Sequence, residues 1–331
     1  MSQSKNEVVA RGGAFAAIAR WFDTSVPDDA APVDPHKPEW SRLAPFILMH
    51  GACLGVIWVG WSWIAMAVAA GLYLLRMFAI TAFYHRYFSH RTFRASRAMQ
   101  FLFAILGNTA VQRGPLWWAA QHRHHHRHSD TDEDVHSPHT HGVLWSHMGW
   151  FTSRAAFATN AKAVPDLAKF PELRFLDRFD ILVPFLLAWA LFGLGWLLEI
   201  VAPELGTGAW QMLVWGFFIS TVLVYHATYT INSLSHLVGS RRFETGDSSR
   251  NNFWLALLTL GEGWHNNHHF NPGSVRQGFY WWEIDATYYV LWVMGKLRLI
   301  SDLRPVPARV YEHAGRKGVG PGPADTTRSA A

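Results

Sequence analysis

The sixteen residues from Gln121 to His136, QHRHHHRHSDTDEDVH, hold six histidines and four carboxylates. Three of them, His122, His125 and His126, follow the spacing H-x-x-H-H. On a helix turning about 100° per residue, such positions share one face, a turn apart. Three imidazoles on one face make a metal-ligand set. A solvated charged helix or a His-rich low-complexity tract would need no counterpart elsewhere. Here the pattern returns far downstream, where HNNHH supplies His265, His268 and His269. Upstream, HRYFSH places His85 and His90 five residues apart. Five helical steps make about 500°, some ~140° off the starting direction, so these two rings converge only if the helix ends or distorts between them. Eight imidazoles exceed the about four ligands of a tetrahedral zinc. They suit a pair of metals with positions left open.

The elements that must position these boxes are apolar. Half of the 331 residues are hydrophobic, 18 are Trp, and only 16% are charged, against about 25% in soluble domains. Ala44 to Leu75 contains no Lys, Arg, Asp or Glu, and Phe179 to Ser240 no Lys or Arg. Each run is too long for one spanning helix of about 20 residues and right for two. Breaks at Gly60–Ser62 and at 199–208 predict spans near 43–60, 63–83, 180–199 and 209–231. Both breaks lack Lys and Arg, whereas Arg42, Arg86, Arg91, Arg94, Arg97, Arg174, Arg178, Arg241 and Arg242 flank the other ends. Positive charge stays inside, which predicts an integral multi-pass membrane protein, in the cytoplasmic membrane if bacterial, with both termini cytoplasmic. All three boxes then fall on the cytoplasmic side, at one end of the bundle.

The net charge of +5 fits attraction to anionic lipid. Basic residues that flank spans form no single patch, so nucleic acid is not a partner. The single cysteine, Cys53, excludes an intrachain disulfide and a cysteine-rich metal site. Residues 1–42 read as a peripheral arm without the pattern of a signal peptide: Val8 to Phe22 is weakly amphipathic, and Pro27 to Pro38 is a Pro/Asp-rich linker. Ala95 to Val111 reads as a helix at the cytoplasmic membrane face, ended by the breaker Gly114-Pro115. Residues 143–158 and Phe279 to Leu299 read as interfacial helices. From Arg304 the tail reads as disordered. His50, Arg76 and His226 are ionisable residues inside spans, with hydrogen-bonded packing as the plain role of the two histidines.

HRYFSHRTF (85–93), HRHHHRHSDTDEDVHSP (122–138), SHMGW (146–150), NSLSH (232–236) and GEGWHNNHH (261–269) occur in an order that resembles the membrane-bound fatty acid desaturases, closest to the acyl-CoA (stearoyl-CoA) Δ9 type. The resemblance covers about residues 45–300. It implies an all-α membrane protein with four transmembrane helices and a helical cytoplasmic cap that holds a His-rich di-iron site. The organisation is then an arm at 1–42, a membrane desaturase domain at 43–303 with its cap at 84–178 and 232–303, and a disordered tail at 304–331.

Carried over, the resemblance implies metal ligands His85, His90, His122, His125, His126, His265, His268 and His269, a ninth at His236, and Asn232 acting through a water. Asn232 and His236 stand at i and i+4, on one helix face. It also implies a bent acyl tunnel lined by Gln112, Trp118 and Thr228, with its floor near Ala69 and Tyr73. Asp130, Asp132, Asp134 and Glu262 are candidates to orient imidazoles. His124, His128 and the other remaining histidines stay outside the ligand set. Where acyl-CoA enzymes carry basic residues before the SHxGW block, this chain reads SPHTHG (137–142), with His139 and His141 in place of arginines. Phospholipid or carrier-protein chains therefore stand beside acyl-CoA as substrates.

An unactivated C–H bond does not yield to acid–base side chains. It needs an oxidant made from O2 at a redox metal; zinc has no redox chemistry and imidazole suits iron. The implied reaction is oxygen-dependent desaturation of a saturated acyl chain, expected to be acyl-CoA at Δ9, to a cis-monounsaturated product at two Fe. No haem-carrier signature His-Pro-Gly-Gly is present, so electrons are expected from a separate ferredoxin-type or haem protein with its reductase. A di-iron hydroxylase of acyl chains or alkanes is the nearest alternative. A divalent-metal transporter is the remote one, since His50, Arg76 and His226 are too few to line a path.

Overall fold

The computed structural model describes residues 13–25 and 36–315. The tail from 316 and most of the 27–38 linker lie outside the described residues, as does the start of the arm. Among the described residues, four helices are long and apolar enough to cross a membrane: Trp40–Val59, Trp63–Ser89, Leu182–Val201 and Ala209–His236. They fit a membrane protein. The uncharged runs form them because a helix satisfies every backbone group internally. Gly60, at a φ of 63°, ends the first. Ser62 starts the second by accepting from Ala65 N at 3.1 Å. Its hydroxyl also meets Thr207 Oγ1 at 2.5 Å, tying the two loops at that end of the bundle together.

Arg76 faces the bundle interior. Its guanidinium is fully buried and donates to Thr221 Oγ1 at 2.6 Å, to the carbonyls of Leu72, Thr109 and Gly216, and to Ser220. Hydroxyls and carbonyls thus supply the partners that a buried cation requires. His50 and His226 bond each other at 3.0 Å, and His226 continues to His147 at 3.0 Å, so the two intramembrane histidines join the first span to the fourth.

The second span does not stay an α-helix. Over Ala79–Ser89 it widens into a π-helix, and His90 N closes an i→i+5 bond on His85 O at 3.3 Å. An i→i+5 bond puts residues five apart about one turn above each other. This is the distortion that the spacing of His85 and His90 demands; their ring centroids lie 5.0 Å apart.

The box-two helix, Pro115–His128, has no capping side chain of its own. Asp177 of the helix Pro171–Arg178 supplies one: its Oδ1 accepts from Leu116 N at 3.0 Å and Trp117 N at 2.8 Å. Gly114 permits this approach, since a Cβ there would sit 2.4 Å from the Asp177 Cα. Asp177→Ala strands two buried N–H groups and is expected to cost about 1–3 kcal/mol. Thermal unfolding in detergent checks the loss, and faster amide exchange at Leu116 and Trp117 locates it.

Two expectations give way. Residues 143–158 do not form one interfacial helix. Short helical turns at Trp145–Gly149 and Trp150–Thr152 end at extended Ser153, and Trp150 turns inward to stack on Trp117 at 5.7 Å. The chain after Arg304 is also not disordered as far as it is described. Ala308–Gly315 is helical, and Val310 and Ala314, at i and i+4 on one face, are buried with Phe243, Phe279 and Tyr280. Arg304 N bonds Thr92 O at 2.9 Å, beside a two-residue ladder of Arg94–Ala95 with Ile300–Ser301. The apolar pair was too sparse to outweigh the polar composition of the tail.

Candidate metal centre

The structure brings all nine singled-out histidines together, in two adjoining groups that could each hold a metal. His85, His90, His122, His126 and His268 form one; His125, His236, His265 and His269 form the other. Each H-x-x-H-H box divides between them. His122 and His126 enter the first group while His125 enters the second; His265 and His269 enter the second while His268 crosses to the first. Adjacent helical residues point about 100° apart, so neighbouring imidazoles address neighbouring sites. The two groups abut where His126 and His269 stack at 4.4 Å.

Within the first group, Nε2 atoms face one another: His85 with His268 at 2.9 Å, His268 with His126 at 2.9 Å, His126 with His122 at 3.0 Å and His122 with His90 at 2.8 Å. In the second, His236 and His265 meet at 3.0 Å through Nε2, and the buried His269 Nε2 has no hydrogen-bond partner among the described residues. The far nitrogens explain the arrangement. Nδ1 of His125 lies 3.0 Å from Asp134, that of His236 3.0 Å from Asp130, that of His269 2.6 Å from Asp247, and that of His85 pairs with Glu262. An ionised carboxylate only accepts, so Nδ1 carries the proton and Nε2 a lone pair. Lone pairs gathered at about 3 Å repel unless a cation sits among them, and carboxylate–histidine pairs of this kind are how proteins hold metal-bound imidazoles. The donor set fits iron, which imidazole binds well.

Electrostatics keep these groups in that form. Burial, reinforced by neighbouring imidazoles, holds His90, His122, His126, His265 and His268 well below the ordinary histidine value. Burial also lowers His269 to about 4, against the pull of Asp247. His125 is raised: burial lowers it, but the Asp134 carboxylate outweighs that. Burial pushes the carboxyls of Asp130, Asp134 and Asp247 up, yet contacts from His236, from His136 and His125, and from His269 respectively hold each below the usual carboxylate range.

Of the four carboxylates singled out from sequence, Asp130, Asp134 and Glu262 orient imidazoles, while Asp132 is exposed. Asp247 escaped notice. It lies 22 residues before its histidine in a loop, where Ser249 N and Thr245 Oγ1 donate to its Oδ1; the G-D-S-S turn was the only local signal. His136 escaped too: it is buried, its ring 4.4 Å from that of His125. Asp247→Ala is expected to weaken iron at the second group by about 10- to 100-fold, read by iron titration of the purified protein.

A cavity of about 40 Å³ opens beside both groups, lined by His85, His122, His125, His265, Asn232, Trp118 and Thr228. That is room for waters. Asn232 shares this cavity with His125 and His265 of the second group. Gln112 reaches this wall by donating to Thr228 Oγ1 at 3.0 Å. Met77 also lines the cavity; Tyr73 and Ala69 lie one and two turns below it on the same helix face, and the Tyr73 hydroxyl donates to Leu258 O at 2.6 Å.

Residues 44–299 match the sequence profile described as fatty acid desaturase. The chain is 36% identical over 273 residues to the sn-1 stearoyl-lipid 9-desaturase of Anabaena variabilis, covering 81% of this chain and 95% of that one. It is 39% identical over 250 residues to the chloroplastic palmitoyl-monogalactosyldiacylglycerol delta-7 desaturase of Arabidopsis thaliana, covering 73% of this chain but only 63% of that protein. It is 36% identical over 268 residues to an acyl-CoA 5-desaturase of Anemone leveillei, covering 80% and 78%.

Proposed function

This chain belongs to the fatty acid desaturase family, and on that premise we propose that it introduces a cis double bond into a saturated fatty acyl chain at two irons held by its nine histidines. The observation that carries this is the pair of abutting imidazole groups. Iron, when bound there, supplies the O2-dependent oxidising chemistry that side chains lack. The overall change takes one hydrogen from each of two adjacent carbons and, with O2, two electrons and two protons, yields the alkene and two waters. The electrons come from a separate donor protein.

The residues of the chain bind, orient and exclude. Asp130, Asp134, Asp247 and Glu262 hold the imidazole protons on Nδ1, and Asn232 holds a water beside the second group. Trp118, Thr228 and Gln112 form the wall against which the acyl chain bends, and the helix face carrying Ala69 and Tyr73 sets its depth. Holding chosen carbons beside the metals is positioning, the source of regioselectivity. Arginines flanking the inner ends of the spans support a cytoplasmic site with both termini on the same side.

A glycerolipid chain, desaturated at Δ9, fits better than the acyl-CoA expected from the family resemblance. His139 and His141 of the 137–142 loop are committed to the fold: their Nε2 atoms donate to His236 O at 3.1 Å and Asp134 O at 3.0 Å. They are poor replacements for the arginines of an anion clamp. Relatives that act on lipid-bound chains at position 9 by name support the same reading. Expression in a host lacking unsaturated fatty acids, with the new bond located by mass spectrometry, tests the reaction; an alcohol in place of an alkene would make it a hydroxylase. Label appearing directly in phospholipid of membranes depleted of acyl-CoA supports the lipid carrier, and strict dependence on added acyl-CoA refutes it.

A further inference from the structure

Gln277 sits between the helix His265–Phe270 and the helix Ala286–Lys296, with 1% of its surface exposed. Its carboxamide reaches two rings of the five-histidine group at once: one end lies 3.3 Å from His85 Nδ1 and 3.4 Å from His268 Nδ1. Its backbone is pinned, with Gln277 N donating to Asp285 Oδ2 at 2.7 Å and Gln277 O accepting from Asn267 Nδ2 at 3.0 Å. Asp285 in turn pairs with Arg86, the neighbour of His85, at 3.0 Å. The side chain is therefore held against the two rings by the same network that fixes the box-one helix.

Both rings present Nε2 to the centre of the group, so both carry their proton on Nδ1. The His85 proton goes to Glu262. An NH2 end of Gln277 turned toward these two N–H groups would set donor against donor and leave the buried Oε1 without a partner, as it stands when the ends are placed that way round. The two ends of a carboxamide are sterically alike, so the surrounding donors decide which faces them. We infer that Gln277 is a positioning residue for the five-histidine group, presenting its carboxamide oxygen to His268 Nδ1–H and so aiming His268 Nε2 at the metal. Asp130, Asp134, Asp247 and Glu262 each face Nδ1 of one of the nine rings; Gln277 is a neutral acceptor for a fifth, adding no charge beside Glu262.

This rests on the reading that the two groups hold iron, so iron in the wild-type protein, purified from membranes, is measured first. Gln277→Leu removes the acceptor at similar volume. It is expected to weaken iron at the five-histidine group by about 10- to 100-fold, so that one of two Mössbauer doublets fades while the other persists. Gln277→Glu keeps an acceptor oxygen and should retain both irons, with an altered quadrupole splitting at one. Wild-type protein without iron refutes the di-iron reading itself. Wild-type protein with two irons and a Gln277→Leu spectrum unchanged in both doublets refutes the role of Gln277 alone. If Gln277→Leu fails to fold, Gln277→Glu decides: spectra identical to wild type overturn the inference.

Discussion

His125→Ala and His268→Ala are each expected to abolish desaturation while removing different irons. His125 belongs to the four-nitrogen group and His268 to the five-nitrogen group. Losing a partner behind a ligand costs about 10- to 100-fold, and losing the ligand itself costs more, so activity should fall by more than about 100-fold. Metal analysis should show iron dropping from two toward one per chain in either variant, with the surviving Mössbauer doublet differing between them. His124→Ala is the control. Its ring bonds Glu133 O at 2.8 Å, outside both groups, and the variant should keep its iron and activity. Two irons per chain in His125→Ala, with activity intact, would overturn the ligand assignment.

The largest expected effect on stability is at Arg86, inside the π-helical end of the second span. Its side chain is 1% exposed and pairs with Asp285 at 3.0 Å and Glu262 at 3.1 Å. It also donates to Val275 O at 2.8 Å. Arg86→Met keeps much of the volume and strands two buried carboxylates. Breaking a buried pair in this way costs about 3–5 kcal/mol, of the order of a whole domain's stability margin. The protein should unfold far below the wild-type temperature in detergent, or accumulate poorly in membranes. The double variant Arg86→Met with Glu262→Gln should recover part of the loss, because one stranded charge is gone. No recovery would mean that the cost lies in packing and not in charge.

The helices were largely legible because an uncharged run of membrane length has few other fates. Ala44 to Leu75 and Phe179 to Ser240 had to form four helices once each run proved twice a span. Arg76, an ionisable group inside a span without a visible partner, became intelligible only with Thr109, Gly216, Ser220 and Thr221 around it, from segments 33 to 145 positions away. The helix Ala308–Gly315 was hidden for the opposite reason. Its packed face is only Val310, Tyr311 and Ala314, and only the aromatic surface it covers makes it worth forming.

Legible from residue order alone were the three boxes of the centre: eight imidazoles, six of them at helical spacing, near the ends of apolar runs, with His236 added by the family resemblance. Spacing along one helix is a local property, set by the rotation per residue, so it can be read without knowing what the helix meets. How the nine rings divide was decided only by the tertiary structure. The boxes split by about 100° between neighbours, and which neighbour meets which foreign ring depends on how separate helices pack. The same holds for Asp247 and Gln277. Their rings are near in sequence for one and on two segments for the other, and in both cases the decisive quantity is a through-space contact between elements, for which linear spacing carries no signal.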